Sequence, residues 1–234
     1  MKAFLLAAGF GTRLRPLTET TPKCLIPVCG KPVMEWWLRL FAKHGITEVM
    51  VNTHYLADQV QDFLHDWNER EGSPVVKEFY EETLLGSGGT VAANRDFIGD
   101  DEDFMICYAD DLTDADLTAF QKFHKNHNGI LSMALFHTSQ PTQCGIASVD
   151  DTGRIVEFEE KPDKPKGNLA NGGMYIARKQ IFDYLPKQEG ILDFGKDVLP
   201  QLVGNMYGWE TKGYLQDIGT MENYEKANKE WKYR

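Results

Sequence analysis

Apolar positions in the first half of the chain alternate between two kinds of pattern. "KAFLLAA" near the N-terminus is an almost continuous apolar run, as expected of a strand covered on both faces. "VMEWWLRLFAKHG" has helical spacing and ends on Gly45, a helix-stopping glycine. The strand pattern "EVMVNT" follows. In "YLADQVQDFLHDWNER", Val60, Phe63, Leu64 and Trp67 recur at three and four, which makes one apolar stripe of a helix. "VVKEFYEE" reads as strand, "GGTVAANRDFI" as a helix opening on glycines, and "DFMICYADD" as a buried strand ending in carboxylates. "DLTAFQKFHKNHNG" is then helix and "ILSMALFHT" strand. This βαβα order predicts a single-domain, Rossmann-like α/β fold with a mostly parallel, mixed sheet and helices on both faces.

After Pro141 the pattern changes. "CGIASVDDTGRIVEFEEKP" is two strand patterns around Asp150-Asp151-Thr152-Gly153, a hairpin signal. "ANGGMYIARKQIFDYLP" reads as strand into helix, "DFGKDVLPQLV" as a short helix, and the last segment as strand, loop and final helix. No repeat, low-complexity tract or linker separates this part from the first.

Composition narrows the function classes. With 234 residues, 42% of them hydrophobic, the chain can bury one proper core. A net charge of -10 argues against general affinity for nucleic acid or an anionic membrane, so any anion must be held by a local site. No apolar stretch approaches the roughly 20 residues that span a bilayer, and the first apolar run is too short for a signal peptide. Cys24, Cys29, Cys107 and Cys144 form no C-x-x-C pair and read as free thiols of a reducing, cytoplasmic compartment. His124 and His127 lie three apart and read as a solvated helix face rather than a metal pair. Trp36, Trp37 and Trp209 suit a homodimer interface or the core equally well.

The candidate chemistry sits where strands run into loops, the place where open parallel sheets collect ligands. The first strand is followed by Gly9-Phe10-Gly11-Thr12-Arg13. Glycines admit phosphate oxygens to backbone N–H groups, and Arg13 adds a charged donor fork. Thr-Arg stands where a Walker A loop needs Lys-Ser/Thr, and Leu14 stands where a dinucleotide fingerprint needs its third glycine. "LRPLTETTPKCLIPVCGKP" then carries Lys23 on a Pro-braced loop.

From here the resemblance to a family is extensive. "AAGFGTRLRPLTETTPKCLIPVCGKP" resembles the N-terminal signature of the sugar-1-phosphate nucleotidyltransferases, also called nucleotide-sugar pyrophosphorylases. "LLGSGGTV", "YADD", "FEEKP", "NGGMY" and "QDIGTMENY" are similar, in order, to further motifs of that family. The resemblance implies the nucleotide-diphospho-sugar transferase type of fold. It implies one domain over 1–234, with a nucleotide-binding half at 1–140 and a sugar-phosphate-binding half at 141–234. Its implied reaction is attack of a sugar 1-phosphate on the α-phosphorus of a nucleoside triphosphate.

By the family pattern Arg13, Lys23 and Lys161 are the catalytic cations. Ala8, Gly9, Gly11, Thr12, Glu81, Leu85, Gly86, Ser87 and Gly88 bind the nucleotide. Gly145, Glu160, Lys161, Asn171 and Gly172 bind the sugar phosphate, and Asp110 and Asp217 bind Mg²⁺, a hard cation suited to oxygen ligands. Asp111 reads as a bystander, and Asn171 could instead form a turn with Gly172 and Gly173. The chain departs from the pattern at Cys144-Gly145, where Tyr-Gly is usual, at Gln216, and in the Leu-Gly-Ser-Gly-Gly of the second glycine loop. All three bear on specificity. The look of "LLGSGGTVAANRDF" and "DFGKDVLPQL" is most similar to short mannose- and heptose-1-phosphate guanylyltransferase-like members, so GTP is favoured, with Glu81 and Glu82, or backbone groups of the loop, as acceptors for guanine. UTP or dTTP with a hexose or amino-sugar phosphate is the alternative within the family. A non-catalytic nucleotide-binding subunit is the alternative of another class, although such a subunit should have lost some of the charged residues present here. No room follows Trp231 for the C-terminal β-helix or acetyltransferase domain of longer members.

Overall fold

The computed structural model describes residues 1–70, 74–185 and 190–231. Strands in chain order are β1 (Lys2–Leu6), β2 (Pro27–Val28), β3 (Lys31–Pro32), β4 (Glu48–Thr53), β5 (Val75–Tyr80), β6 (Asp103–Tyr108), β7 (Asp111–Thr113), β8 (Leu131–His137), β9 (Gly145–Val149), β10 (Ile155–Glu160), β11 (Leu169–Arg178), β12 (Met206–Glu210) and β13 (Leu215–Asp217). The α-helices are α1 (Val33–Lys43), α2 (Ala57–Asn68), α3 (Gly86–Ala93), α4 (Leu117–Lys125) and α5 (Met221–Glu230). The fold is the expected single-domain α/β type with a mixed sheet. Chain contacts define two compact units: residues 1–84, 107–115 and 213–234, and residues 85–106 and 116–212.

The first unit is built on parallel strands. β1 pairs with β4 from Lys2↔Glu48 to Leu6↔Asn52, and β4 with β5 up to Thr53↔Tyr80. Ala3, Phe4 and Leu5 are fully buried, as the unbroken apolar run required. The register brings the carboxyl ends of β1, β4 and β5 level, so the segments that follow them start side by side. β6 continues this edge, since Ala109 donates its N–H to Leu6 O at 3.0 Å. Helix α1 buries Val33, Met34, Trp37, Leu38, Leu40 and Phe41, and Gly45 follows its end with φ 74°. Trp37 is therefore core, and its indole N–H donates to Asp111 O at 2.6 Å. Trp36 packs edge-on against Trp231 with ring centroids 5.4 Å apart.

The second unit is largely antiparallel. β11 pairs with β8, and β9 with β10, while β12 runs parallel to β8. The β9–β10 turn is held by Asp150, whose Oδ1 accepts the N–H groups of Thr152 (2.8 Å) and Arg154 (3.1 Å), with Gly153 at φ 80°. Trp209 stacks on Phe120 at 4.8 Å.

The histidine pair departs from expectation. His124 is fully buried, and both rings meet Ser132 Oγ, at 2.7 Å from His124 Nδ1 and 2.8 Å from His127 Nε2. Gly129 donates its N–H to His127 Nδ1 at 3.0 Å, so the proton of a neutral His127 is on Nε2 and points to Ser132. Asp103 Oδ1 lies 3.4 Å from His124 Nε2. The spacing of three predicts one solvated helix face, but α4 ends at Lys125, so that only His124 is helical, and both rings turn to Ser132 of β8.

Candidate active site

The first unit gathers most of the charged candidates. Gly11 has φ 62° and opens a single 3-10 turn, Thr12–Leu14. A Cβ on Gly11 would stand 2.7 Å from Thr18 Cγ2 and 3.1 Å from Lys23 Cβ, so both conformation and packing demand glycine. The Gly11 carbonyl accepts from Leu14 N–H (2.9 Å) and from the Thr18 hydroxyl (2.8 Å), and Tyr55 OH in turn donates to Thr18 O at 2.9 Å. This stiffens the loop that carries Arg13. Gly9 has nothing within 4 Å of where its Cβ would be, which leaves its backbone open, and the preceding Ala8 is buried.

Lys23 is the hub. Its Nζ forms an ion pair with Asp110 Oδ2 and lies 3.8 Å from Asp217 Oδ1. The two aspartates arrive from different segments: Asp110 follows β6, and Asp217 ends β13, where it stands opposite Asp111 of β7. Ile218 N–H donates to Asp110 O at 3.0 Å and fixes the two segments against each other. Burial alone would lower the pKa of Lys23, but the charges of Asp110 and Asp217 outweigh it and raise it. Asp110 resolves the other way: burial works to raise its pKa, while the Lys23 charge and hydrogen bond hold it below the usual range. Asp217 is raised by burial and by Asp110. Asp111 is raised strongly, by burial and then by Asp110 and Asp217, which favours its neutral form.

Gly219 belongs to this group although the sequence did not single it out. Its N–H donates to Asp217 Oδ1 at 2.6 Å. A Cβ on it would lie 2.7 Å from Asp217 Oδ1, 2.9 Å from Lys23 Nζ and 3.0 Å from Arg13 Nη2. Arg13, Lys23 and Asp217 thus converge on the space that a glycine leaves. The Asp-x-Gly spacing, a short aspartate turn, was the available signal.

Two hard carboxylates on one ammonium fit a divalent cation chemically, since Lys23 already shows that the pair of oxygens accepts positive charge. Among the described residues, no group of three His, Cys, Asp or Glu side chains converges as a metal cage would. A cation held by Asp110 and Asp217 would take its other ligands from phosphate oxygens or water.

Glu81 follows β5 (Val75–Tyr80). It is buried, and Asn52 Nδ2 donates to its Oε1 at 2.9 Å. Asn52 Oδ1 accepts Ala7 N–H at 2.7 Å, and His54 Nδ1 donates to Glu81 O at 2.8 Å. Its carboxylate is thereby linked through Asn52 to the N–H of Ala7, at the start of the first glycine loop.

The second unit holds the remaining candidates. The glycine loop at the head of α3 wraps the carbonyl of Leu192, which accepts from Gly88 N–H (2.9 Å) and Gly89 N–H (3.3 Å). Leu192 N–H donates to Leu85 O at 2.9 Å, and Phe194 N–H to Ser87 Oγ at 2.9 Å. Gly86 has φ 78°, and a Cβ there would come within 2.5 Å of Leu192 O. The glycines of this loop are accounted for by the close approach of residues 191–194.

Glu160 ends β10 with its carboxylate between two glycine backbones. Its Oε2 lies 2.6 Å from where a Gly145 Cβ would be and 3.2 Å from that of Gly195. Burial, helped by Asp193, raises its pKa against the opposing charge of Lys161, whose Nζ is 3.7 Å from Oε1. Lys161 itself has φ 50°, an uncommon backbone for a lysine, and its side chain is exposed. Asn171 engages its amide internally, donating to Tyr175 OH at 2.7 Å and accepting Gly173 N–H at 3.0 Å. Gly172, beside it, is buried, and the register of β11 against β8 shifts between Asn171 and Tyr175.

Comparison with known proteins gives this geometry a family. The UTP–glucose-1-phosphate uridylyltransferase of Synechocystis sp. is 33% identical over 97% of this chain and 62% of its own length. A mannose-1-phosphate guanylyltransferase 3 of Oryza sativa subsp. japonica is 29% identical over 96% of this chain and 63% of its own. The chain thus spans about three fifths of the length of these relatives. A crystal structure of UDP-glucose pyrophosphorylase complexed with UDP-glucose shares the fold with a TM-score of 0.82, at 22% identity and 97% coverage of both chains. With the nucleotidyl transferase family model matching residues 2–233, the chain belongs to the nucleotidyl transferase family.

Proposed function

We propose that this protein joins a nucleoside triphosphate and a sugar 1-phosphate, giving a nucleotide sugar and pyrophosphate by in-line attack on the α-phosphorus. The observation that carries this is the convergence of Arg13, Lys23, Asp110 and Asp217 around Gly219. The reaction needs no side-chain nucleophile. Its barrier lies in bringing two polyanions together and in the charge that develops on the leaving pyrophosphate. Arg13 and Lys23 offset charge on the triphosphate, and Gly9, Gly11 and Thr12 present backbone donors to it. Preorganised donors of this kind each contribute about 3–4 kcal/mol to the transition state. Asp110 and Asp217 would hold Mg²⁺, which when bound supplies further charge stabilisation at the phosphates.

On the same reading Lys161 holds the phosphate of the sugar, while Glu160, Asn171, Gly145 and Gly172 meet its hydroxyls. Leu85, Gly86, Ser87 and Gly88 flank the base. GTP with mannose or heptose 1-phosphate remains the favoured pair. On this reading Glu81, Glu82 and backbone groups of the loop are the available acceptors for guanine. The Synechocystis relative supports UTP with glucose 1-phosphate as the second reading. Free thiols at all four cysteines, and the lack among the described residues of a helix long and apolar enough to cross a membrane, support a cytoplasmic enzyme.

The test is pyrophosphate release from purified protein with Mg²⁺ over a grid of four nucleoside triphosphates and a panel of sugar 1-phosphates. A chelator-sensitive signal in one square is expected. Folded protein that binds nucleotide yet gives a blank grid would favour a non-catalytic binding subunit.

A further inference from the structure

The Asp110–Asp217 pair shares its charge with this chain's own cations. Lys23 Nζ takes Asp110 Oδ2 directly, lies 3.8 Å from Asp217 Oδ1, and its side chain is only 12% exposed. Arg13 Nη2 stands within 3.0 Å of the Gly219 position, where Lys23 Nζ and Asp217 Oδ1 also converge. The cationic side chains of Lys23 and Arg13 therefore face the carboxyl groups of Asp110 and Asp217. Positive charge already held at these oxygens weakens their pull on a free divalent cation. A cation approaching the carboxylate oxygens meets the like charge of Lys23 on the same lone pairs. Among the described residues, no group of three His, Cys, Asp or Glu side chains converges to hold a metal ion.

We propose that Lys23 is an internal competitor for the cation site, so that a divalent cation binds tightly only when a polyphosphate draws the Lys23 ammonium away from Asp110 and Asp217. Metal and nucleotide binding are then coupled through one side chain. The phosphate both removes the competitor and supplies oxygen ligands that the protein lacks. By linkage, the metal strengthens phosphate binding by the factor with which phosphate strengthens metal binding. This rests on the nucleotidyltransferase reading only for the identity of the polyphosphate.

The experiment uses Mn²⁺ alone as probe, with bound and free ion distinguished by electron paramagnetic resonance and no nucleotide present. The unaltered protein, Lys23→Met, Lys23→Arg and the double variant Lys23→Met/Asp217→Asn are compared, each checked for folding by thermal melting. Lys23→Met should bind Mn²⁺ at least about tenfold more tightly than the unaltered protein. Lys23→Arg, which keeps the charge, should stay weak, and the double variant should lose the gain. Equal or weaker binding by Lys23→Met overturns the proposal, as does a gain in Lys23→Arg. If the neutral variant does not fold, the arginine variant carries the decision. Because the catalytic grid is run on the unaltered protein, its failure and the failure of this proposal are separate results.

Discussion

Gly219 donates its backbone N–H to the Oδ1 of Asp217 at 2.6 Å, and the same residue leaves the space on which Lys23 and Arg13 close. Replacing it by alanine puts a methyl group 2.7 Å from the Asp217 oxygen and 2.9 Å from Lys23 Nζ. One of the charged groups must then move. Gly219→Ala should lower kcat by about a hundredfold or more, the scale of losing one preorganised charge contact. Thermal melting should change little, because the cluster is partly open to solvent. An unaltered kcat would show that the converging groups do not act on the reacting phosphates.

Asn52 links the first strand to Glu81, accepting Ala7 N–H at 2.7 Å and donating to Glu81 Oε1 at 2.9 Å. Asn52→Ala deprives a buried carboxylate and a backbone donor of that partner. Urea unfolding should show a loss of about 2–4 kcal/mol, more than a surface substitution produces. Asn52→Asp should be no better, since it sets a second carboxylate against the first.

Only part of this could be read in advance. β4 spans the "EVMVNT" pattern from end to end, and α1 and β8 follow theirs closely, because apolar period and stop signals agree locally. β7 and β13, three residues each, have too few positions for a period to show, and they exist because they pair with each other across the chain. "DFGKDVLPQLV" gives a π turn at Phe194–Val198 followed by a 3-10 turn, where Pro200 and Gly195 disfavour a regular α-helix. At the site, Arg13, Lys23 and Asp110 stood out in the loops that follow strands, and Asp217 through the resemblance of its segment to the family. Gly219 and Asn52 did not, since each acts through a partner or a gap that only the folded chain reveals. The hydrogen bond between Asn52 and Glu81 was hidden for the same reason: the two are 29 positions apart.

The buried histidines predict a specific acid response. Burial, reinforced by Arg178, lowers the pKa of His124 to about 4, and burial, His124 and Arg178 together lower that of His127 to about 4. In the unfolded chain both titrate near the ordinary value of about 6.5. Between these values the unfolded state binds more protons, so their contribution is whole above about pH 6.5 and is lost as pH falls toward 4. For fully buried His124 this amounts to about 3 kcal/mol. Urea midpoints measured from pH 7.5 to 4.5 should fall steadily, and His124→Gln should flatten the slope.

Gly86→Ala tests the second glycine loop without touching a charge. The residue has φ 78°, and a Cβ would press to 2.5 Å from the Leu192 carbonyl. Backbone strain and contact together should cost about 2–4 kcal/mol by urea unfolding. Hydrogen exchange of the Gly88 and Gly89 amides should speed up, since both donate to that carbonyl.

Glu160 ties together two positions fifty residues apart. Its Oε2 fills the space that a side chain at Gly145 or at Gly195 would need. The three residues therefore do not vary independently: a methyl group at Gly145 would meet the carboxylate at 2.6 Å and the Phe158 ring at 2.7 Å, and one at Gly195 would press on the carboxylate at 3.2 Å. In descendants of this sequence, loss of Glu160 alone should relax the constraint on Gly195 before that on Gly145, which the Phe158 ring continues to hold.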